Sequence, residues 1–159
     1  MLGPDGLEKI PVEEPPIPEA IIVAPEDVEM WRELVSPWLY GVEACSRGTN
    51  DLDSTLELCK EGKAQLWLAI IDEEVVAASV SEVRDYPLGR VVCVWCAGGD
   101  VKNLAKCHAA MDDFAREHGA SKVQFEVPPW AEKIGQLFNL KPVRLILERE
   151  LYSKERDNG

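Results

Sequence analysis

Cys93 to Asp100 reads CVWCAGGD and carries two candidate chemistries side by side. Cys93 and Cys96 have the C-x-x-C spacing of zinc sites and thiol redox centres. Gly98 and Gly99 precede a helix-like run from Asp100, and such a strand-to-helix turn presents free backbone N–H groups to a phosphate. The cysteine reading meets a geometric objection. Residues three apart on a regular strand point to opposite faces, so a strand over 91–96 keeps the two thiols from one ion. No second C-x-x-C pair exists, and the cysteines are expected as small buried hydrophobes without metal. The glycine reading gathers the amides of Gly98, Gly99, Val101, Lys102 and Asn103 into an anion cradle, with Lys102 and Lys106 as counter-charges. Asp100 opposes it, because an N-cap carboxylate occupies those amides and repels an anion. A phosphate cradle and a capped helix with solvated lysines both stand at this level.

Other chemistry-bearing residues have simpler explanations. His118 falls at a helix C-terminus, where the dipole favours it, and His108 in mid-helix reads as a packing residue. Ser79 and Ser81 lack the partners of a hydrolase triad. Trp67 and Trp95 lie within strands and belong to the core, whereas Trp130 after a Pro-Pro pair is the candidate partner-contact residue.

Positioning these residues falls to an alternating set of elements. AIIVA (20–24) is a buried strand, and the next segment has helical spacing at Val28, Trp31, Leu34 and Val35, with Pro37 kinking or ending it. Residues 50–62 form a second short helix. AQLWLAII and VVAASVSEV make a hairpin across an acidic turn, and RVVCVWCA extends the meander. Residues 100–118 predict one continuous helix stopped by Gly119. KVQFEV, WAEKIGQLF and PVRLILERELY then read as strand, short helix and terminal strand, the last alternating at Val143, Leu145 and Leu147. The order β-α-α-β-β-β-α-β-α-β implies an α+β fold: a mixed sheet, helices on both faces, and a parallel pair near the C-terminus.

Length and composition bound the rest. At 159 residues and 46% apolar content the chain suits one domain over 19–153, with a Pro-rich acidic arm at 1–18 and a polar tail at 154–159. Five cysteines, an odd number, fit reduced thiols. No segment reads as a membrane span or signal peptide, so a soluble, intracellular protein is expected. The net charge of −12 argues against nucleic acid as a partner.

The element order and several segments resemble the GNAT superfamily of acetyl-CoA-dependent N-acetyltransferases. AIIVAPEDVEMWREL is similar to that family's first strand and helix, LWLAIIDEEVVAASVSEV to its second and third strands, and WAEKIGQLFNLKPVRLILEREL to its closing pattern, with Asn139-Leu140 where Gly-Phe is usual. AQLWLAIID, CAGGD, FAREHGASKVQFEV and PPWAEKIG more narrowly resemble GNAT-like proteins of tailed bacteriophages. The resemblance implies acetyl-CoA as cofactor and Glu126 or Glu82 as general base. The chain departs from it in two places. The family's Arg/Gln-x-x-Gly-x-Gly/Ala phosphate loop is reduced to AGGDVKN, and the Tyr that often serves as acid is absent from WAEKIGQLF, which offers Phe138. Two functions follow as expectations. One is a non-catalytic, virion-associated interaction protein, tethered through its arm to a protein partner such as a phage structural protein, and able to form a homo-oligomer. The other is an active acetyltransferase of a small or protein amine. The corresponding location is the host cytoplasm or the virion.

Overall fold

The computed structural model describes residues 15–152, apart from the side chains of Val101, Pro129 and Trp130. Most of the arm expected at 1–18 and the tail expected at 154–159 therefore lie outside the described residues. Strand β1 (Glu19–Ile22) is the first element among the described residues. Helix α1 (Val28–Leu39) follows a 3-10 turn at Pro25–Asp27 and runs two residues beyond Pro37, so proline neither ends it nor removes its apolar face. The one-turn helix α2 (Val42–Cys45) leads to α3 (Leu52–Lys60). A reciprocal capping box starts α3: the Ser54 amide donates to Asp51 at 2.8 Å and the Ser54 hydroxyl accepts from the Asp51 amide at 2.9 Å.

Strands β2 (Gln65–Ile71), β3 (Glu74–Tyr86) and β4 (Gly89–Gly99) form the expected meander, and β5 (Lys122–Phe125) joins it in parallel. The sheet order is β1-β2-β3-β4-β5, antiparallel until the last pair. Asp72 and Glu73 close the first hairpin, both at positive φ (50° and 68°), the geometry that a two-residue turn needs to match strand twist.

Each face of the sheet is covered. Val28, Val35, Leu39, Leu56 and Cys59 from α1 and α3 pack on Leu66, Leu68, Ala78, Val80, Trp95 and Cys96. On the other face, Met111 and Ala115 pack on Trp67, Val92 and Val94. These helical residues belong to α5 (His108–Glu117), which follows α4 (Val101–Lys106). The continuous helix expected over 100–118 is thus two helices meeting at Cys107, whose amide bonds to Leu104 in a tighter turn.

The C-terminal third departs further from expectation. The short helix is a 3-10 helix, Pro129–Phe138, closed by Asn139 in the left-handed conformation at φ 56°. Beyond it the terminal strand is absent: residues 140–150 carry no regular secondary structure, and Val143, Leu145, Ile146 and Leu147 are exposed. Alternation describes what a strand could bury, but a strand needs a neighbouring edge, and here the segment lies away from one.

Candidate functional site

The site begins where β4 and β5 part. Their ladder covers Val91–Val94 against Lys122–Phe125 and ends with the Glu126 amide donating to the Val94 carbonyl at 2.9 Å. Pro128 and Pro129 have no N–H to continue it, so the β5 chain turns away into the 3-10 helix. Strand β4 continues to Gly99 with β3 alone at its side. A cleft therefore opens beside Trp95 to Gly99. The register shift between Val80 and Ser81 adds a residue on β4 there, a bulge that bends the strand at the mouth of the cleft.

That bulge corrects the cysteine geometry. Cys93 pairs with Glu82 on the α1–α3 face, and Cys96 lies in the α1–α3 core, so the extra residue puts both thiols on one face rather than two. They still meet different neighbours. The Cys93 thiol donates to Glu126 at 3.4 Å, and burial pushes its pKa up to about 12, with Glu126 adding to the effect. Cys96 is pushed equally far by burial and by Cys45 beside it. Among the described residues no group of three or more His, Cys, Asp or Glu is gathered for a metal.

The glycine turn is built for packing. A Cβ on Gly98 would stand 1.7 Å from the Trp38 carbonyl oxygen of α1, and one on Gly99 would stand 2.6 Å from the Val76 oxygen, at a φ of +97°. Asp100 alone separates β4 from α4. Its amide donates to Val76, and its carboxylate accepts from the Lys102 amide at 2.9 Å and from the Asn103 side chain at 3.2 Å. The capped-helix alternative is the one realised: the Lys102 amide is taken, Asn103 faces the cap, and Lys102 is exposed. Val101 opens α4 through its backbone. The Asp100 carboxylate thus stands at the α4 N-terminus and takes the Lys102 amide, which sets a negative charge where the helix end would otherwise favour an anion.

Glu82 and Glu126 are brought together by a residue that the sequence reading passed over. Arg84 lies between them, its guanidinium bonded to Glu126 and 3.6 Å from Glu82. Burial opposes the Arg84 charge, but the hydrogen bond to Glu126 and the two carboxylate charges outweigh it and raise its pKa. One oxygen of Glu126, Oε1, thus accepts from both Arg84 and Cys93. The signal for Arg84 was its i+2 spacing from Glu82 on one strand face. Trp95 lies in the α1–α3 core as expected, and its buried indole N–H has no partner among the described residues. Nothing in the local sequence announces that.

The remaining candidates are placed elsewhere. Both histidines donate locally through Nδ1, His108 to the Ala105 carbonyl at 2.7 Å and His118 to the Phe114 carbonyl at 2.8 Å. Ser81 accepts from the Trp67 indole at 2.9 Å and donates to Gln65, a closed buried network. The side chain of Trp130 lies outside the described residues. Trp67, Leu104, Met111, Phe125 and Phe138 line an apolar cavity of about 40 Å³.

No protein-family model and no curated protein sequence matches this chain. Solved structures do. An aminoglycoside acetyltransferase from an uncultured soil metagenomic sample, in complex with sisomicin, is similar with a TM-score of 0.64 at 14% identity over 87% of this chain and 97% of its own. A ribosomal-protein-alanine N-acetyltransferase from Brucella melitensis biovar Abortus 2308 is similar with a TM-score of 0.59 at 16% identity over 83% and 99%. A transcriptional regulator from Bacillus halodurans C-125 gives 0.60 at 12% over 84% and 99%. At such identities the likeness is one of architecture, and the chain has the GNAT acetyltransferase fold, with a mixed five-stranded sheet between two helical layers.

Proposed function

We propose that this chain is a GNAT-fold interaction protein with a degenerate acetyl-CoA site. On this reading it is non-catalytic, of the kind tailed bacteriophages encode, and serves as a virion-associated accessory protein through protein contacts of its arm and surface. One observation carries the loss of the cofactor: Asp100 caps α4 with its own carboxylate where a phosphate would need free amides. Substitution of Gly99 is a poor probe, since any side chain there collides with β3. The informative experiment is calorimetric titration of the native chain with acetyl-CoA. Binding weaker than about 1 mM is expected. Micromolar binding overturns the reading. Virion association is checked separately, by whether the chain co-sediments with intact particles of the phage that encodes it.

The parting of β4 and β5 favours a second reading, an acetyl-CoA-dependent N-acetyltransferase of a small or protein amine, because an open strand edge can receive an extended ligand arm. Glu126, or Glu82 beside it, would then take the amine proton. Acetyl transfer that is lost in Glu126→Gln and retained in Cys93→Ser would establish it.

A further inference from the structure

We propose that Cys45 and Cys96 form an oxidation site, which a low-molecular-weight disulfide such as oxidised glutathione converts to an intramolecular disulfide tying α2 to β4. The inference stands with either reading of the cleft, since neither uses these thiols.

The fold brings the two side chains together. Val42 and Cys45 lie three apart on α2 and share one face of it. Val42 on that face is buried in the same core as Cys96, so the face is the one turned to β4. The backbone leaves little room for another course. The end of α1 passes so close over β4 that a Cβ on Gly98 would collide with the Trp38 carbonyl, and α2 starts only four residues later (42 minus 38). The Cys45 thiol thereby sits beside the Cys96 thiol, within reach of a side-chain hydrogen bond.

Exposure sets the order of events. Cys45 is exposed and Cys96 only 4% exposed, so an oxidant in solution meets Cys45 first, and Cys96 is oxidised only through it. Cys59 and Cys93 are buried too, but burial and nearby carboxylates raise their pKa values, with no contribution from another thiol.

The chemistry balances in two exchanges. The Cys45 thiolate attacks one sulfur of oxidised glutathione; the Cys45–glutathione bond forms, the glutathione disulfide breaks, and one glutathione leaves. Cys96 then gives up its proton and attacks the Cys45 sulfur; the Cys45–Cys96 bond forms and the second glutathione leaves. Two protein thiols lose two electrons and two protons, and the glutathione disulfide gains them as two thiols. Burial and the neighbouring thiol push Cys96 up to about 12, so its thiolate is scarce and the second exchange is the slower one. The product braces the cleft. Cys96 lies beyond Val94, where the ladder to β5 ends, on the stretch of β4 that has β3 alone at its side.

The test is incubation of the full native chain with oxidised glutathione at mildly alkaline pH, then alkylation of the remaining thiols and peptide mapping without reduction. A linked Cys45–Cys96 peptide is expected, with an intact mass lower by two hydrogens. The urea midpoint should rise and return on reduction, because the bond joins residues 51 apart (96 minus 45) and restricts the unfolded chain. Cys96→Ala should stop the reaction at the first exchange, with glutathione left on Cys45, and Cys45→Ser should leave Cys96 unmodified. The map of the native chain decides the matter even if Cys96→Ala does not fold. An unmodified Cys45 overturns the proposal, as does a Cys45 that keeps its glutathione while Cys96 remains a free thiol. So does a Cys45–Cys96 bond that appears only in urea, or one that lowers the midpoint.

Discussion

The strand-to-helix turn is held by close backbone contact, and this can be measured. Gly98→Ala places a methyl inside the Trp38 carbonyl and should cost about 3 kcal/mol or more in urea unfolding, with no relief from a rotamer change because the obstacle is backbone. Thiol reactivity reports a second set of contacts. Burial holds Cys59, Cys93 and Cys96 near 12, far above neutral pH, so their thiolates are scarce in the native state. At pH 8 a chromogenic disulfide reagent should react quickly at exposed Cys45 and reach those three only on unfolding. Two fast thiols in addition to Cys45 and half-buried Cys107 would contradict the packing.

Elements add effects that no single residue contains. Asp100→Ala removes the cap of α4 and should lower stability by about 1 kcal/mol, whereas Asp100→Asn should retain most of it, as read from thermal or urea midpoints. Helices α1 and α3 are joined at the surface by Glu29, which accepts from Arg32 at 2.8 Å and meets Lys60 at 2.5 Å. The hydrogen bond from Arg32, then that from Lys60, lowers the Glu29 carboxyl from 4.5 to about 2. A depressed folded pKa contributes stability that is present above about 4.5 and is lost as pH falls through about 2. Arg32→Gln should therefore flatten the acid limb of the stability profile between those values and leave the neutral limb's slope unchanged. The hairpin turn can be tested the other way: Asn-Gly in place of Asp72-Glu73 suits the positive φ at both positions and should raise the unfolding midpoint.

At the scale of the whole molecule, charge sets association. Two copies at −12 each repel at long range. Salt screens that repulsion, because the Debye length is about 10 Å at 0.1 M. Self-association of the chain, read by sedimentation equilibrium, should therefore tighten between about 10 mM and about 150 mM salt.

Local rules were enough for much of this protein. The spacing of apolar residues located α1, α3 and the meander, because a 3.6-residue or two-residue period needs only one buried face to be visible. The capping chemistry of Asp100 was likewise present in the sequence as an alternative to phosphate binding, since a cap acts within three residues. What tertiary structure alone decided depends on partners distant in the chain. The bulge opposite Val80 moved Cys96 onto the face of Cys93, Arg84 joined two carboxylates 44 residues apart (126 minus 82), and Trp38 took the space above Gly98. The same reason explains the terminal segment: alternation at Val143, Leu145 and Leu147 states a strand's need for an edge, but which edge meets it is settled by where the rest of the chain goes.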